Sequence, residues 1–320
     1  MLARLGKLNP TLQRLLLVLG CAALFFLWLS YVPLTEIDEA RFSEATREMV
    51  ETGNYVVPSF NYQPRYQKPV LYYWIQSASV RLFGDNETAA RLPSAVAALL
   101  LVLLVHAFLL RRLRRDIPAE DVPARARAGG AAFLGAVALA TMPLVAIWAH
   151  AAVTDMYLTL FTTACLLALL EADLSGMTES KAGRGWYLLA ALAAALAFLT
   201  KGPVGIVIPA LVWIAYQALQ RNLGREARRV PWLPAIAAFV LIAAPWFVAI
   251  YLRDGAGFFQ HFFLKENVER FAATSMEGHG SSNRLLTTLF YFPLSAILLL
   301  FPFSAFLLRE LIIPFSARTA

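Results

Sequence analysis

The heptapeptide Glu36-Ile37-Asp38-Glu39-Ala40-Arg41-Phe42 puts three carboxylates and a guanidinium directly after the first long apolar run. A carboxylate so placed can take a proton as a general base, and a cation beside it can stabilise a phosphate as charge develops. Further charges fall at the ends of later apolar runs: Lys68, Asp155, Lys201, Lys265 and Arg270, with His150, His261 and His279 close by in sequence. Each has a plainer reading as well. Asp38 and Glu39 open a helical pattern running to Glu51, where the macrodipole favours acids. Asp38 shares a face with Arg41 three residues on, as in any ion-paired surface helix. Lys68 and Lys201 fit lipid headgroup anchors as well as phosphate ligands. Asp155 fits a helix cap as well as a second site carboxylate.

The elements that must position these residues are membrane spans. The chain of 320 residues is 59% hydrophobic and only 15% charged, with a mean hydropathy of +0.60, which places it in the membrane class. Charge-poor runs at 15–34, 92–110, 202–220, 230–252 and 285–308 are each about long enough to cross a hydrocarbon core. The run 128–170, broken only by Asp155, holds two crossings, and 185–200 completes about eight. The expected fold is all-α and polytopic. Two shorter helices, over 38–51 and 70–83, lie in the interface within the first connecting loop. One transmembrane domain covers 1–320, with long loops at 35–90 and 253–284 and no C-terminal soluble domain expected.

The net charge of +7 sits in short loops: Arg4, Lys7 and Arg14, then Arg111–Arg127, Lys181 and Arg184, and Arg221–Arg229. These alternate loops define a cytoplasmic side and place the loops at 35–90 and 253–284 outside, which in a bacterium is the periplasm of the inner membrane. Topology thus accounts for the positive charge without nucleic acid as a partner. Cys21 and Cys165 lie inside apolar runs and form no metal-ligand spacing. No glycine-rich phosphate loop is present, which argues against a nucleotide donor or cofactor. A lipid-borne, phosphate-linked donor entering from the side fits the arrangement better.

Six motifs in order carry a resemblance. They are Glu-x-Asp-Glu-x-Arg-Phe at 36–42, Gln-Lys-Pro-x-Leu-Tyr-Tyr-Trp at 67–74, Ala-Ala-Arg-Leu-Pro-Ser at 89–94, Thr-Asp at 154–155, Thr-Lys-Gly-Pro at 200–203, and Phe-Phe followed by Asn-Val-Glu-Arg-Phe at 262–271. Together they resemble the aminoarabinose transferase and protein O-mannosyltransferase-like glycosyltransferases of the GT-C class. The resemblance implies transfer of a sugar, with inversion, from a polyprenyl-phosphate donor to a lipid, glycan or protein acceptor outside the cytoplasm. It implies Asp38 as the catalytic-loop aspartate with Glu39 beside it, and Asp155 as the second acidic position. It implies Lys68 as the lysine that contacts the donor phosphate and matches Arg270 to an arginine of the later external loop; with Arg41 and Lys201, read from their charge and placement, these are the candidate donor-phosphate residues. In the aminoarabinose branch it implies a histidine about where Asn267 stands. The sequence departs there, so any divalent cation is unassigned and His261 is the nearest candidate ligand.

Length is a second departure, because members of this family continue through several more spans. Two other functions compete with transfer. A transporter or flippase of a lipid-linked substrate would place charge near mid-membrane and show repeats, and neither is seen. An inactive or partner-dependent scaffold subunit is compatible with the shorter chain.

Overall fold

The computed structural model describes residues 8–34, 37–174, 181–269, 292–301 and 304–305. Helix α1, Pro10–Cys21, starts where Asn9 accepts the Thr11 amide at 2.9 Å and Pro10 pre-sets the first turn. It runs into a π-helical stretch, Ala22–Phe26, and the helical backbone stops there. The run at 15–34 was expected to be one span up to the helix breaker Pro33, but Trp28 takes a left-handed φ of 63° and turns the chain five residues earlier. Trp28 and Tyr31 remain largely exposed, as an interfacial anchor requires.

Helix α2, Ile37–Thr52, and helix α3, Leu71–Phe83, are the two short helices expected in the first loop. Glycines in left-handed conformations follow both, Gly53 with φ 67° and Gly84 with φ 86°. Between them strands β1, Ser59–Phe60, and β2, Gln63–Pro64, form a minimal antiparallel hairpin. Then come α4, Glu87–Arg114; α5, Val122–Ala140; α6, Pro143–Ala149; α7, Asp155–Leu174; α8, Lys181–Lys201; and α9, Val204–Leu219. The last described elements are α10, Leu223–Arg229; α11, Trp232–Asp254; α12, Gly257–Phe259, which continues as a π-helical stretch, Gln260–Glu269; and α13, Phe292–Leu299.

The fold is that of a multi-pass membrane protein. Among the described residues α4, α7, α8 and α11 are long and apolar enough to cross a bilayer. The α5–α6 pair is a fifth candidate, bent by 60° where Pro143 restarts the helix. Pro10–Phe26 and Val204–Leu219 are apolar but shorter. The eight runs expected from composition therefore all contain helix, but length alone certifies only these.

The chain divides into two compact units. One comprises 1–27, 102–150 and 272–320. In it α1 packs on α5, and His150 joins the carbonyls of Ala146 and Leu27 through Nδ1 and Nε2. Gly135 lets Leu109 of α4 come within 2.8 Å of where a β-carbon would sit.

The other unit comprises 28–101 and 151–271 and holds the candidate chemistry. Its bundle is built on small side chains: Ala190 and Ala193 of α8 pack on Cys165 and Ala168 of α7. A β-carbon on Gly205 would meet the Ala197 backbone at 2.5 Å, so α9 can approach α8 this closely only through glycine. Gly202, between them, has φ 77°, and a β-carbon there would lie 2.6 Å from the Phe262 ring. Gly202→Ala is expected to lower stability by about 1–3 kcal/mol through backbone strain and this clash. Thermal unfolding in detergent measures it, and an unchanged midpoint would mean the turn relaxes at no cost.

Candidate active site

Asp38 and Glu39 are adjacent in sequence and meet opposite fates. They occupy the first turn of α2, whose buried face is Phe42, Ala45, Thr46 and Met49 against α3. One residue is about 100° of helix rotation, so one carboxylate points out and the other in. Asp38 is exposed and, among the described residues, makes no hydrogen bond or ion pair. Arg41 is exposed too, and no ion pair joins it to Asp38 among the described residues.

Glu39 is buried and fully occupied. Arg91 of α4 donates Nε to Oε1 and Nη2 to Oε2, both at 2.9 Å, and the Ala152 amide donates to Oε1 at 2.7 Å. Arg91 also donates to the carbonyls of Leu29 at 2.8 Å, Val32 at 2.5 Å and Pro33 at 3.0 Å. All of its N–H groups are thereby used. These carbonyls lie in non-helical backbone that would otherwise carry buried, unpaired acceptors. One bidentate pair thus ties the 29–33 segment, the head of α2, the start of α4 and the turn before α7. Glu39, a catalytic candidate by sequence, has both carboxylate oxygens engaged by Arg91 and the Ala152 amide. Its geometry is that of a clamp under Asp38. Arg91 enters the sequence reading only within the 89–94 motif and without a role; the available signal was a lone cation one turn into a long apolar helix.

Asp155 and Lys201 are brought together by the bundle. Lys201 Nζ lies 2.8 Å from Asp155 Oδ1, with both side chains about one quarter to one third exposed, at 26% and 32%. The acid stands at the N-terminus of α7 and the base at the C-terminus of α8, each the sign its helix end prefers. A half-exposed pair of this kind contributes about 1 kcal/mol or less, so its effect is to fix the two helix ends rather than to stabilise the fold.

The hairpin between α2 and α3 is held from beneath. Asn61 and Tyr62 have φ of 52° and 57°, the left-handed pair that closes a two-residue hairpin. Glu48, fully buried, accepts from Ser59 Oγ at 2.5 Å and from the Tyr62 amide at 3.0 Å. Directly after β2, the Arg65 amide reaches the Pro58 carbonyl at 2.7 Å. The Arg65 side chain is buried, places its cation over the rings of Phe42 and Phe60, and donates Nε to Tyr73 Oη at 3.1 Å. Burial pushes the Tyr73 phenol upward against the pull of Arg65, so it is neutral at physiological pH. Lys68 follows, half-buried, just ahead of the α3 N-terminus.

His261 lies 3.7 Å from Glu266 Oε1 and packs its ring edge-on to Tyr66. Tyr66 in turn donates its hydroxyl to Asp254. Among the described residues no three Asp, Glu, His or Cys side chains gather as a metal site. Arg270 and His279 lie outside the described residues, as do the side chains of Lys265 and Asn267. A cavity of about 190 Å³ between α7 and α9, lined by Leu166, Leu170, Asp173 and Trp213 among others, is apolar. It sits at the far end of α7 from Asp155 and is separate from this chemistry.

The model of the dolichyl-phosphate-mannose-protein mannosyltransferase family matches residues 14–263, which covers every element just described from α1 to the Phe258–Phe263 segment. The chain belongs to that family. Its similarity extends to two undecaprenyl phosphate-α-4-amino-4-deoxy-L-arabinose arabinosyl transferases. That of Aeromonas hydrophila is 34% identical over 79% of this chain and 44% of its own. That of Aeromonas salmonicida is 33% identical over 79% and 43%. The crystal structure of ArnT from Cupriavidus metallidurans bound to undecaprenyl phosphate superposes with a TM-score of 0.75 at 27% identity, covering 93% of this chain and 50% of that one. This family member spans about half the length of the curated relatives it matches.

Proposed function

We propose that this chain carries the donor-side chemistry of a glycosyltransferase that moves a sugar from a polyprenyl phosphate to an acceptor at the membrane face. The observation that carries the reading is an exposed carboxylate, Asp38, on a helix head locked by a buried clamp, Glu39–Arg91–Ala152. Family membership and the likeness to transferases named for undecaprenyl-phosphate donors support it. In the reaction the acceptor oxygen attacks the sugar's anomeric carbon from the side opposite the phosphate. The bond from that carbon to the phosphate oxygen breaks, and prenyl phosphate departs as an anion. For a hydroxyl acceptor the proton passes to Asp38. A phosphate acceptor arrives already ionised and needs no base, and Asp38 then orients it or holds a cation. Lys68, Arg41 and Arg270 supply cations to the phosphate, and Asp155 with Lys201 fixes the opposing helix ends.

The test is transfer from radiolabelled polyprenyl-phosphate sugars by wild-type protein and Asp38→Asn in the same membranes. Product that depends on Asp38 supports the reading, and donor binding without product in either protein argues for a scaffold role.

We place the protein in a bacterial inner membrane, with its N-terminus cytoplasmic and the Asp38 loop periplasmic, because basic residues crowd the alternate loops. Thr52 ends α2 and is exposed. A Thr52→Cys variant should therefore react with a membrane-impermeant maleimide added to the periplasmic side of spheroplasts. Labelling only after the membrane is broken would invert the topology.

A further inference from the structure

Two buried arginines in the same unit are treated in opposite ways. Arg91 has every N–H group matched to a protein acceptor, including both oxygens of Glu39. Arg65 is almost as buried, 7% exposed against 5%. Among the described residues it faces no carboxylate at ion-pair distance, and its only side-chain hydrogen bond is from Nε to the hydroxyl of Tyr73. Its Cζ lies over the rings of Phe42 and Phe60, 5.2 Å and 5.7 Å from their centroids. Rings and phenol hold the guanidinium in place, and among the described residues none accepts from its terminal fork or pairs with its charge. The phenol is neutral, so it does not act as a counter-ion.

Burying a guanidinium without a counter-charge is costly. A structural cation would be expected to resemble Arg91. A fork held in advance over aromatic rings, with its N–H groups unspent, is the arrangement that takes an oxyanion bidentately. Its location fits as well. Phe42, over whose ring the Arg65 cation lies, is one helical turn beyond Asp38 on α2. Lys68 is three residues further along the same loop.

We propose that Arg65 is a phosphate-binding residue that receives the phosphoryl oxygens of the prenyl-phosphate donor beside Asp38, oriented for this by Phe42, Phe60 and Tyr73. The assignment to the donor rests on the transferase reading above; the oxyanion chemistry does not.

The test measures binding of undecaprenyl phosphate, undecaprenol and inorganic phosphate to detergent-solubilised full chain, as wild type, Arg65→Lys and Tyr73→Phe. Arg65→Lys keeps the charge and removes the fork. It should weaken undecaprenyl phosphate about tenfold or more and leave undecaprenol unaffected. Tyr73→Phe keeps the fork and loosens its orientation, with a loss of about threefold expected. If Arg65→Lys fails to fold, Tyr73→Phe decides: weakened binding supports the assignment, and unchanged binding overturns it. Wild-type affinity for undecaprenyl phosphate in both variants overturns Arg65 and leaves the donor reading standing. Arg65-dependent binding of inorganic phosphate without any of the prenyl phosphate keeps the oxyanion site and overturns its assignment to the donor. Binding of neither phosphate by the wild type overturns both.

Discussion

Arg91→Ala should cost about 3–5 kcal/mol of stability, the cost of leaving a buried carboxylate without its counter-ion. Glu39 would keep only the Ala152 amide as a partner, and the carbonyls of Leu29, Val32 and Pro33 would lose theirs together. Glu39→Gln should be similarly harmful, because it strands the guanidinium instead. The two losses should not add, since each breaks the same network. Denaturant unfolding of the singles and the double in detergent reads this directly. A double variant no worse than either single is the expected result. A loss below about 1 kcal/mol in the singles would class the pair with solvated surface bridges and remove the clamp beneath Asp38.

Asp38→Asn should act on rate and spare the fold. The side chain is exposed and, among the described residues, has no partner to lose, so unfolding should shift by no more than about 0.5 kcal/mol. With a hydroxyl acceptor, loss of a general base should slow transfer about 10²–10⁴-fold. The contrast between neighbours is the informative part. Position 39 should report mainly on stability and position 38 mainly on turnover. Transfer by Asp38→Asn at the wild-type rate would take Asp38 out of the mechanism.

Much of the scaffold could be read from the sequence because apolar periodicity and helix-stop residues act locally. Helix α2 was expected over 38–51 and runs Ile37–Thr52; α3 was expected over 70–83 and runs Leu71–Phe83. The end of the first span was misplaced because Pro33 is a visible helix breaker, whereas the left-handed turn at Trp28 leaves no mark in residue type. The hairpin was also hidden. Two-residue turns of this kind are signalled by Asn-Gly or Asp-Gly, and here Tyr62 takes the second position because Glu48, eleven to fourteen residues earlier, accepts from Ser59 and the Tyr62 amide.

The candidate site was legible as residue types in order and illegible as roles. Asp38 and Glu39 carry the same functional group, and nothing local says which of them turns inward. That depends on Arg91, which lies 52 residues away in the chain. Asp155 and Lys201 could each be placed at a helix end from their neighbours. Their meeting follows from the close packing that small residues allow between α7 and α8. Arg65 gave no sequence signal, because what sets it apart is that, among the described residues, its terminal fork has no acceptor.

The grip of Glu48 on the hairpin bears on how a donor gets in. A loop of this length over a membrane site would ordinarily be free to swing aside and admit a lipid headgroup. This one is anchored to the fourth turn of α2, and α2 is itself clamped through Glu39 to the start of α4. The hairpin that carries the chain into Arg65 and the helix head that carries Asp38 are therefore tied to one another through α2, so a movement of one is expected to draw on the bonds that hold the other.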